Sequence, residues 1–201
     1  MARIAVILTE GFADWECGLL MASARTYYRA EIVTASPGGL PVTSMGGLKV
    51  VPDVDIAALD AGTFDALVIS GGQIWESDQA PDIAPLVEAA DTAGKVIAAI
   101  CGGTLALARA GLLDDISHTS NSPDFLAQAA NYRGQAHYSA ASRAVRDGRI
   151  ITAAGTAPLS FTAEIFRALE IGGAELDHYM AMFAAESMPV NEAAEADPGF
   201  P

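Results

Sequence analysis

The chain has 201 residues, and 51% of them are hydrophobic, which is enough for a buried core and too much for a chain that is mainly disordered. Its 25 acidic and 11 basic residues give a formal net charge of −14 at pH 7. Because a surface of that sign repels nucleic-acid phosphates and anionic lipids, we expect no nucleic-acid partner and no membrane association.

The cysteines and the apolar runs indicate the compartment. Cys17 and Cys101 are too few for a disulfide framework, and neither has the spacing of a zinc site. The first apolar run is too short for a secretory signal, and no run approaches the roughly 20 residues that span a bilayer. We therefore predict a cytoplasmic protein with reduced thiols, no bound metal and no cofactor.

Predicted strands and helices alternate along the chain. The strands are expected at 4–8, 31–34, 42–43, 48–51, 64–70 and 95–100, with a hairpin about Asp147-Gly148. The helices are expected at 15–29, 81–93, 103–109, from 123 with Ser122 as the cap, and at 161–169 and 175–185. This order predicts an α/β fold, a mostly parallel sheet with helices on both faces. We expect one domain over residues 1–185 and an acidic, frayed tail at 186–201.

One cysteine stands between a predicted strand and the next helix. Residues 98–103 read AAICGG, with small side chains before Cys101 and two glycines after it. Such a segment is typical of a nucleophile elbow, a turn too sharp for bulky neighbours. The N-terminus of the following helix would favour the thiolate. The alternative is a structural cysteine, buried as a small hydrophobic residue.

Two other strand ends carry candidate groups. The ISGG segment at 69–72 offers N–H groups that can bind an oxyanion, although a plain tight turn has the same composition. Asp14, Trp15 and Glu16 begin the first helix, where a carboxyl group ordinarily acts as a cap. If Glu16 is desolvated instead, its pKa rises, and the protonated carboxyl can donate a hydrogen bond to a thiolate.

Taken together, the motifs GFADWE, ISGG, AAICGG and DGRIITAAGTAPLSF resemble those of the ThiJ/PfpI superfamily, from about residue 2 to residue 169. The resemblance implies a flavodoxin-like three-layer sandwich and commonly a homodimer. It also implies a reactive Cys101, a Glu16 carboxyl that touches its sulfur, and oxyanion-binding N–H groups at Gly72 and Gly102.

The chain lacks two sequence features that are found in relatives of this superfamily. Many protease-like relatives carry a histidine directly after the cysteine, where this chain has Gly102. The related class I glutamine amidotransferases use a His-x-Glu segment, which none of the three histidines here forms. His118 is the candidate partner of Cys101, because relatives of the DJ-one type have a histidine near this place. The alternative is a loop histidine bonded locally.

The leading hypothesis is a cysteine-dependent enzyme for a small carbonyl-type substrate, glyoxalase/deglycase-like or hydrolase-like, with Cys101 as nucleophile and Glu16 or His118 moving protons. The alternatives are a cysteine-based oxidative-stress sensor and a binding protein without turnover. A histidine base at the sulfur would favour catalysis, and its absence would favour sensing. The apolar first helix, which includes Leu20 and Tyr27, is the predicted dimer face, and Trp75 is a candidate for the pocket rim.

Overall fold

The computed structural model describes residues 1–186, and the elements that follow are those of this range. The strands are β1 Arg3–Ile7, β2 Glu31–Ser36, β3 Val42–Thr43, β4 Lys49–Val50, β5 Val54–Asp55, β6 Ala66–Ile69, β7 Val96–Ile100, β8 Val145–Asp147 and β9 Ile150–Ala153. The α-helices are α1 Asp14–Thr26, α2 Ala84–Thr92, α3 Thr104–Arg109, α4 Pro123–Leu126, α5 Pro158–Ala168 and α6 Gly173–Ala185.

The central sheet is mostly parallel. Over residues 1–186 it has seven strands in the order β5-β2-β1-β6-β7-β9-β8, and only the β8–β9 pair in it is antiparallel. That pair is the hairpin predicted about Asp147-Gly148, and Gly148 supplies the positive φ of 57° that the turn requires. β3 and β4 form a separate antiparallel hairpin. The carboxyl ends of β1, β6, β7 and β9 lie side by side, and ligands bind at such an edge.

Helices cover both faces of this sheet because its inner strands are apolar on both sides. One core joins the sheet to α1, α5 and α6 and includes Leu20 and Phe166, and the other joins it to α2 and α3 and includes Trp75 and Leu105. The predicted α/β fold, a flavodoxin-like three-layer sandwich, is therefore confirmed. Leu20 is fully buried in its own subunit, so it cannot belong to a dimer face as the sequence suggested.

Local signals set most element boundaries. The Ser122 hydroxyl accepts a hydrogen bond from the Phe125 N–H, as a cap does, and Pro123 is the first helical residue. The predicted frayed tail lies, from residue 187 onward, outside the described residues. None of the helices described in residues 1–186 is both long and apolar enough to cross a membrane.

Candidate active site

Cys101 lies on the sharp turn between β7 and the 3-10 turn that leads into α3. Its φ of 55° is in the left-handed region, which costs a residue with a side chain about 1–3 kcal/mol and persists only where the surroundings impose it. The glycines that follow leave room for this turn. A Cβ on Gly102 would lie 2.5 Å from the Gly72 carbonyl oxygen, and one on Gly103 would lie 2.7 Å from that of Ile69. The structure thus places Cys101 where a nucleophile elbow was predicted.

Glu16 is buried in the first turn of α1 and faces the same point. Its Oε2 atom accepts a hydrogen bond from the Gly71 N–H at 2.8 Å, and its other polar neighbour is the Cys101 thiol. A side chain at position 71 is excluded, because its Cβ would collide with both Glu16 and Cys101. Burial raises the pKa of the Glu16 carboxyl, and the neighbouring Cys101 and Gly71 groups offset only part of that rise.

Glu16 and Cys101 meet at Gly155, in the loop after β9. A Cβ on Gly155 would lie 2.8 Å from Glu16 Oε1 and 3.0 Å from Cys101 Sγ, so both atoms face the same small space. Burial raises the pKa of the Cys101 thiol to about 11, and the charge of Glu16 adds to that rise. Two negative charges cannot share this space at neutral pH. The pair therefore carries at most one.

Asn121 is the functional side chain that the sequence analysis did not single out. Its Nδ2 atom donates to Cys101 Sγ at 3.3 Å, and its Oδ1 atom accepts from the Gly155 N–H at 3.0 Å. This donation lowers the pKa of the Cys101 thiol, as does the Gly102 N–H, although burial outweighs both. The available signal was its position, in a polar run just after a short extended segment and before the Ser122 cap.

His118 does not reach Cys101, which corrects the prediction made for it. It is fully buried, its Nδ1 bonds the Ile116 carbonyl oxygen at 2.7 Å, and its Nε2 bonds the Tyr132 hydroxyl at 2.6 Å. A carbonyl oxygen only accepts, so Nδ1 carries the proton and Nε2 accepts from the tyrosine. Both ring nitrogens are therefore engaged. Burial lowers the pKa of His118, which keeps the ring neutral.

The two tryptophans have different places from those expected. Trp75 lies beneath the elbow and is completely buried, with its indole N–H donating to the Ser70 carbonyl oxygen at 2.9 Å, so it is not a pocket rim. Trp15 is 53% exposed, yet its indole N–H donates to the Gly155 carbonyl oxygen at 3.0 Å. Trp15 is therefore attached, through Gly155, to the loop that faces Cys101.

The remaining candidates are the two glycines and the second cysteine. A Cβ on Gly102 would lie 3.2 Å from the Gly72 nitrogen, so the backbones that carry the two predicted oxyanion donors are adjacent. Cys17 is buried, and burial raises the pKa of its thiol to about 11. Across residues 1–186, no three or more His, Cys, Asp or Glu side chains are grouped to hold a metal ion.

Comparison with known proteins agrees with the resemblance seen in the motifs. The family model described as the DJ-1/PfpI family matches residues 2–168. The chain belongs to the DJ-1/PfpI family. Its relatives include the uncharacterized protease YoaZ of Bacillus subtilis, with 35% identity over 177 residues that cover 84% of each chain.

Solved structures of this family share the fold. The DJ-1 superfamily protein Atu0886 from Agrobacterium tumefaciens superposes with a TM-score of 0.91 at 47% identity, covering 94% of this chain and 100% of its own. The thiJ/pfpI family protein from Bacillus anthracis gives a TM-score of 0.82 at 27% identity, covering 96% of this chain and 94% of its own. The family resemblance inferred from the motifs is confirmed.

Proposed function

We propose that this DJ-1/PfpI protein is a cysteine-dependent enzyme that acts on a small carbonyl-type substrate. One observation carries the proposal. Cys101 is held in a strained backbone conformation directly beside a buried carboxyl group, Glu16, whose Oε1 faces the same small space as the sulfur. Backbone strain and the burial of an ionisable group both cost stability, and such costs are concentrated at functional sites.

The reaction begins when the Glu16 carboxylate takes the proton of the Cys101 thiol, which leaves the negative charge on the sulfur. The sulfur attacks the electrophilic carbon, a C–S bond forms, and the carbonyl electron pair moves to the oxygen. We assign the oxyanion hole to the N–H groups of Gly72 and Gly102, which the adjacency of their backbones supports. Asn121 donates to the sulfur and so stabilises the thiolate before the attack.

Glu16 then carries out the proton transfers. It protonates the new oxyanion and becomes a carboxylate, and in that form it moves a proton from the carbon bound to sulfur to the adjacent carbonyl carbon, which turns the adduct into a thioester of a 2-hydroxy acid. Water then attacks the thioester, the C–S bond breaks, and the acid leaves as the Cys101 thiol re-forms. Because burial raises the pKa of the Glu16 carboxyl above its usual range, the group holds a proton more readily than an exposed glutamate does. His118 has no part in this scheme, since its ring is bound to Ile116 and Tyr132.

The groups available for proton transfer at Cys101 favour one type of reaction on carbonyl compounds. Amide hydrolysis needs a group that protonates the departing amine and then activates water, and the usual histidine is absent from the sulfur. A glyoxalase-like reaction needs one carboxyl group that releases and accepts a proton. We therefore place the glyoxalase/deglycase-like activity ahead of a hydrolase-like one, although the relative YoaZ is named a protease.

A second candidate function, the oxidative-stress sensor, is favoured by the position of His118. With no histidine at the sulfur, Cys101 is left with one carboxyl group and one fixed amide donor, which also suit a sulfinate. In the sensor, the oxidised form of Cys101 would accumulate, whether or not it is later reduced, and no carbonyl compound would be turned over. A binding protein of the same fold, without turnover, is the remaining alternative.

Turnover distinguishes these functions. Wild type, Cys101→Ser and the control Cys17→Ser are offered small aldehydes, 2-oxoaldehydes and amides. The proposal predicts turnover of 2-oxoaldehydes by wild type and Cys17→Ser, and none by Cys101→Ser. Absence of turnover in all three proteins, with stoichiometric oxidation of Cys101 by dilute peroxide, would replace the enzyme by the sensor.

Assembly and location belong to the same proposal. The protein forms a homodimer in this proposal, and its contact surface is the β3–β4 hairpin rather than the first helix. At the hairpin, Leu40, Leu48 and Val51 are at least 60% exposed. We also keep the cytoplasm as the location, because both cysteines are free thiols in the structure.

A further inference from the structure

Trp15 is an exposed aromatic side chain that the catalytic scheme does not use. The residue is 53% exposed, and its indole N–H is bound to the Gly155 carbonyl oxygen, which fixes the orientation of the ring. Gly155 is also the residue whose missing side chain leaves room for Cys101 Sγ and Glu16 Oε1. The indole is therefore attached to the loop that faces the reacting sulfur.

The charges around the sulfur are the second part of the argument. The charged group that acts on the Cys101 thiol is the Glu16 carboxyl, and the other partners, Asn121 and the Gly102 N–H, are neutral. The chain as a whole carries a net charge of −14. A substrate with its own carboxylate or phosphate would meet repulsion here and would find no cation among these partners of the sulfur.

We propose that Trp15 forms the wall of a substrate subsite beside Cys101 that takes the flat, apolar substituent of an uncharged carbonyl compound. This inference rests on the proposed function and names its substrate class. The indole face packs against the substituent, and Glu16 Oε1, which faces the same space as Cys101 Sγ, lies beside the reacting carbonyl group. Anionic carbonyl compounds are disfavoured by the negative charge of the site.

Alkylation of Cys101 tests the subsite without requiring turnover. Iodoacetamide, iodoacetate and 2-iodo-N-phenylacetamide all form a C–S bond with the thiolate and release iodide, and they differ in charge and in the presence of a phenyl ring. Each second-order rate constant for Cys101 is divided by the rate constant of the same reagent with a small neutral thiol. The background is Cys17→Ser, so that only Cys101 is followed.

The expected preference for the phenyl reagent over iodoacetamide is roughly two- to tenfold, as for a single aromatic contact. Iodoacetate should react about tenfold more slowly than iodoacetamide because of charge repulsion. Trp15→Ala should abolish the phenyl preference and keep the charge discrimination, whereas Trp15→Phe should retain both. Tyr27→Ala is the matched control, because Tyr27 is 51% exposed just beyond the other end of the same helix.

An unchanged phenyl preference in Trp15→Ala would overturn the subsite, and so would its loss in Tyr27→Ala. Normalised rates for iodoacetate equal to those for iodoacetamide would overturn the charge discrimination. These outcomes are separate from the fate of the enzyme proposal. A Trp15-dependent phenyl preference without any turnover of carbonyl compounds would leave the subsite standing and remove the enzyme function.

Discussion

The Gly155 N–H donates a hydrogen bond to Asn121 Oδ1 at 3.0 Å, and this bond decides which end of the amide faces Cys101. With its oxygen occupied by Gly155, Asn121 can present only its NH₂ group to the sulfur. The group nearest the nucleophile besides Glu16 is therefore a fixed donor that cannot accept a proton. That arrangement stabilises a thiolate and leaves proton transfer to a single carboxyl group.

Substitution of Asn121 by aspartate should raise the pKa of Cys101. The aspartate can still accept from Gly155, but it replaces a donor by a negative charge at the sulfur. Loss of a hydrogen bond to a charged group costs about 1.5–3 kcal/mol, which corresponds to roughly one to two pKa units. The pH dependence of Cys101 alkylation measures the shift. Asn131→Asp adds the same charge on an exposed loop and should leave the profile unchanged.

Cys101 should be the reactive thiol and Cys17 the inert one. Burial raises the pKa of both thiols to about 11, so the pKa does not separate them. Cys101 is partly exposed and its sulfur receives a hydrogen bond from Asn121, whereas Cys17 is almost completely buried. Limited iodoacetamide at neutral pH followed by peptide mass mapping should find the label on Cys101. Prior labelling of Cys17 in folded protein would contradict the assignment.

Glu16→Gln should keep the fold, abolish most turnover and change the pH dependence of stability. The amide can still donate to the sulfur, but it cannot carry a proton, so activity should fall more than sulfinate stability does. The pKa of Glu16 is raised by folding, so its contribution is fully present below pH 4.5 and is lost as the pH rises through the higher folded value. Thermal unfolding of wild type and variant should therefore diverge between acid and neutral pH. Identical pH profiles and wild-type alkylation rates would reduce Glu16 to a residue of the helix start.

Tyr132→Phe should destabilise the protein without altering Cys101. The substitution leaves the buried His118 Nε2 atom without its partner, at a cost of about 1–3 kcal/mol. Because folding lowers the pKa of His118, wild-type stability should also decline as the pH falls below the unfolded value of 6.5. Chemical denaturation gives the first quantity and its pH series the second. A changed rate of Cys101 alkylation would indicate that His118 acts on the active site.

The proposed homodimer is tested by light scattering at micromolar concentration. The expected mass is twice the 20.7 kDa of one chain, and Val51→Glu should yield the monomer because Val51 is 78% exposed on the hairpin surface. Lys95→Glu introduces the same residue at a partly exposed site away from the hairpin and should leave the dimer intact. A wild-type species of single-chain mass would exclude the dimer, and an intact dimer in Val51→Glu would place its face elsewhere.

The features that could be predicted from the sequence are those set by neighbouring residues. The AAICGG segment specifies the elbow because each small residue answers a steric demand of the turn itself, and Ser122 specifies a helix start in the same local way. That Asn121, and not His118, contacts Cys101 could not be predicted. His118 and Asn121 lie in the same polar loop, twenty residues after Cys101 in the case of Asn121. Which of them contacts Cys101 depends on how this loop packs at the edge of the sheet.

Burial was the other property that local patterns left undetermined. Leu20 and Trp75 were both expected at surfaces, and both are fully buried. Helix periodicity shows that a residue lies on an apolar face, but α1 packs one such face against α5 and the sheet. Whether an apolar side chain meets its own core or a partner is settled by tertiary packing.

The positive φ of Cys101 has a consequence for the evolution of this chain. Glycine tolerates that conformation better than any other residue, so Cys101→Gly would relax the turn while removing the sulfur. A mutation of that kind is available in every generation and would make the domain easier to fold. The persistence of a cysteine at the turn therefore requires selection for its chemistry, and a lineage released from that selection should lose the sulfur before it loses the fold.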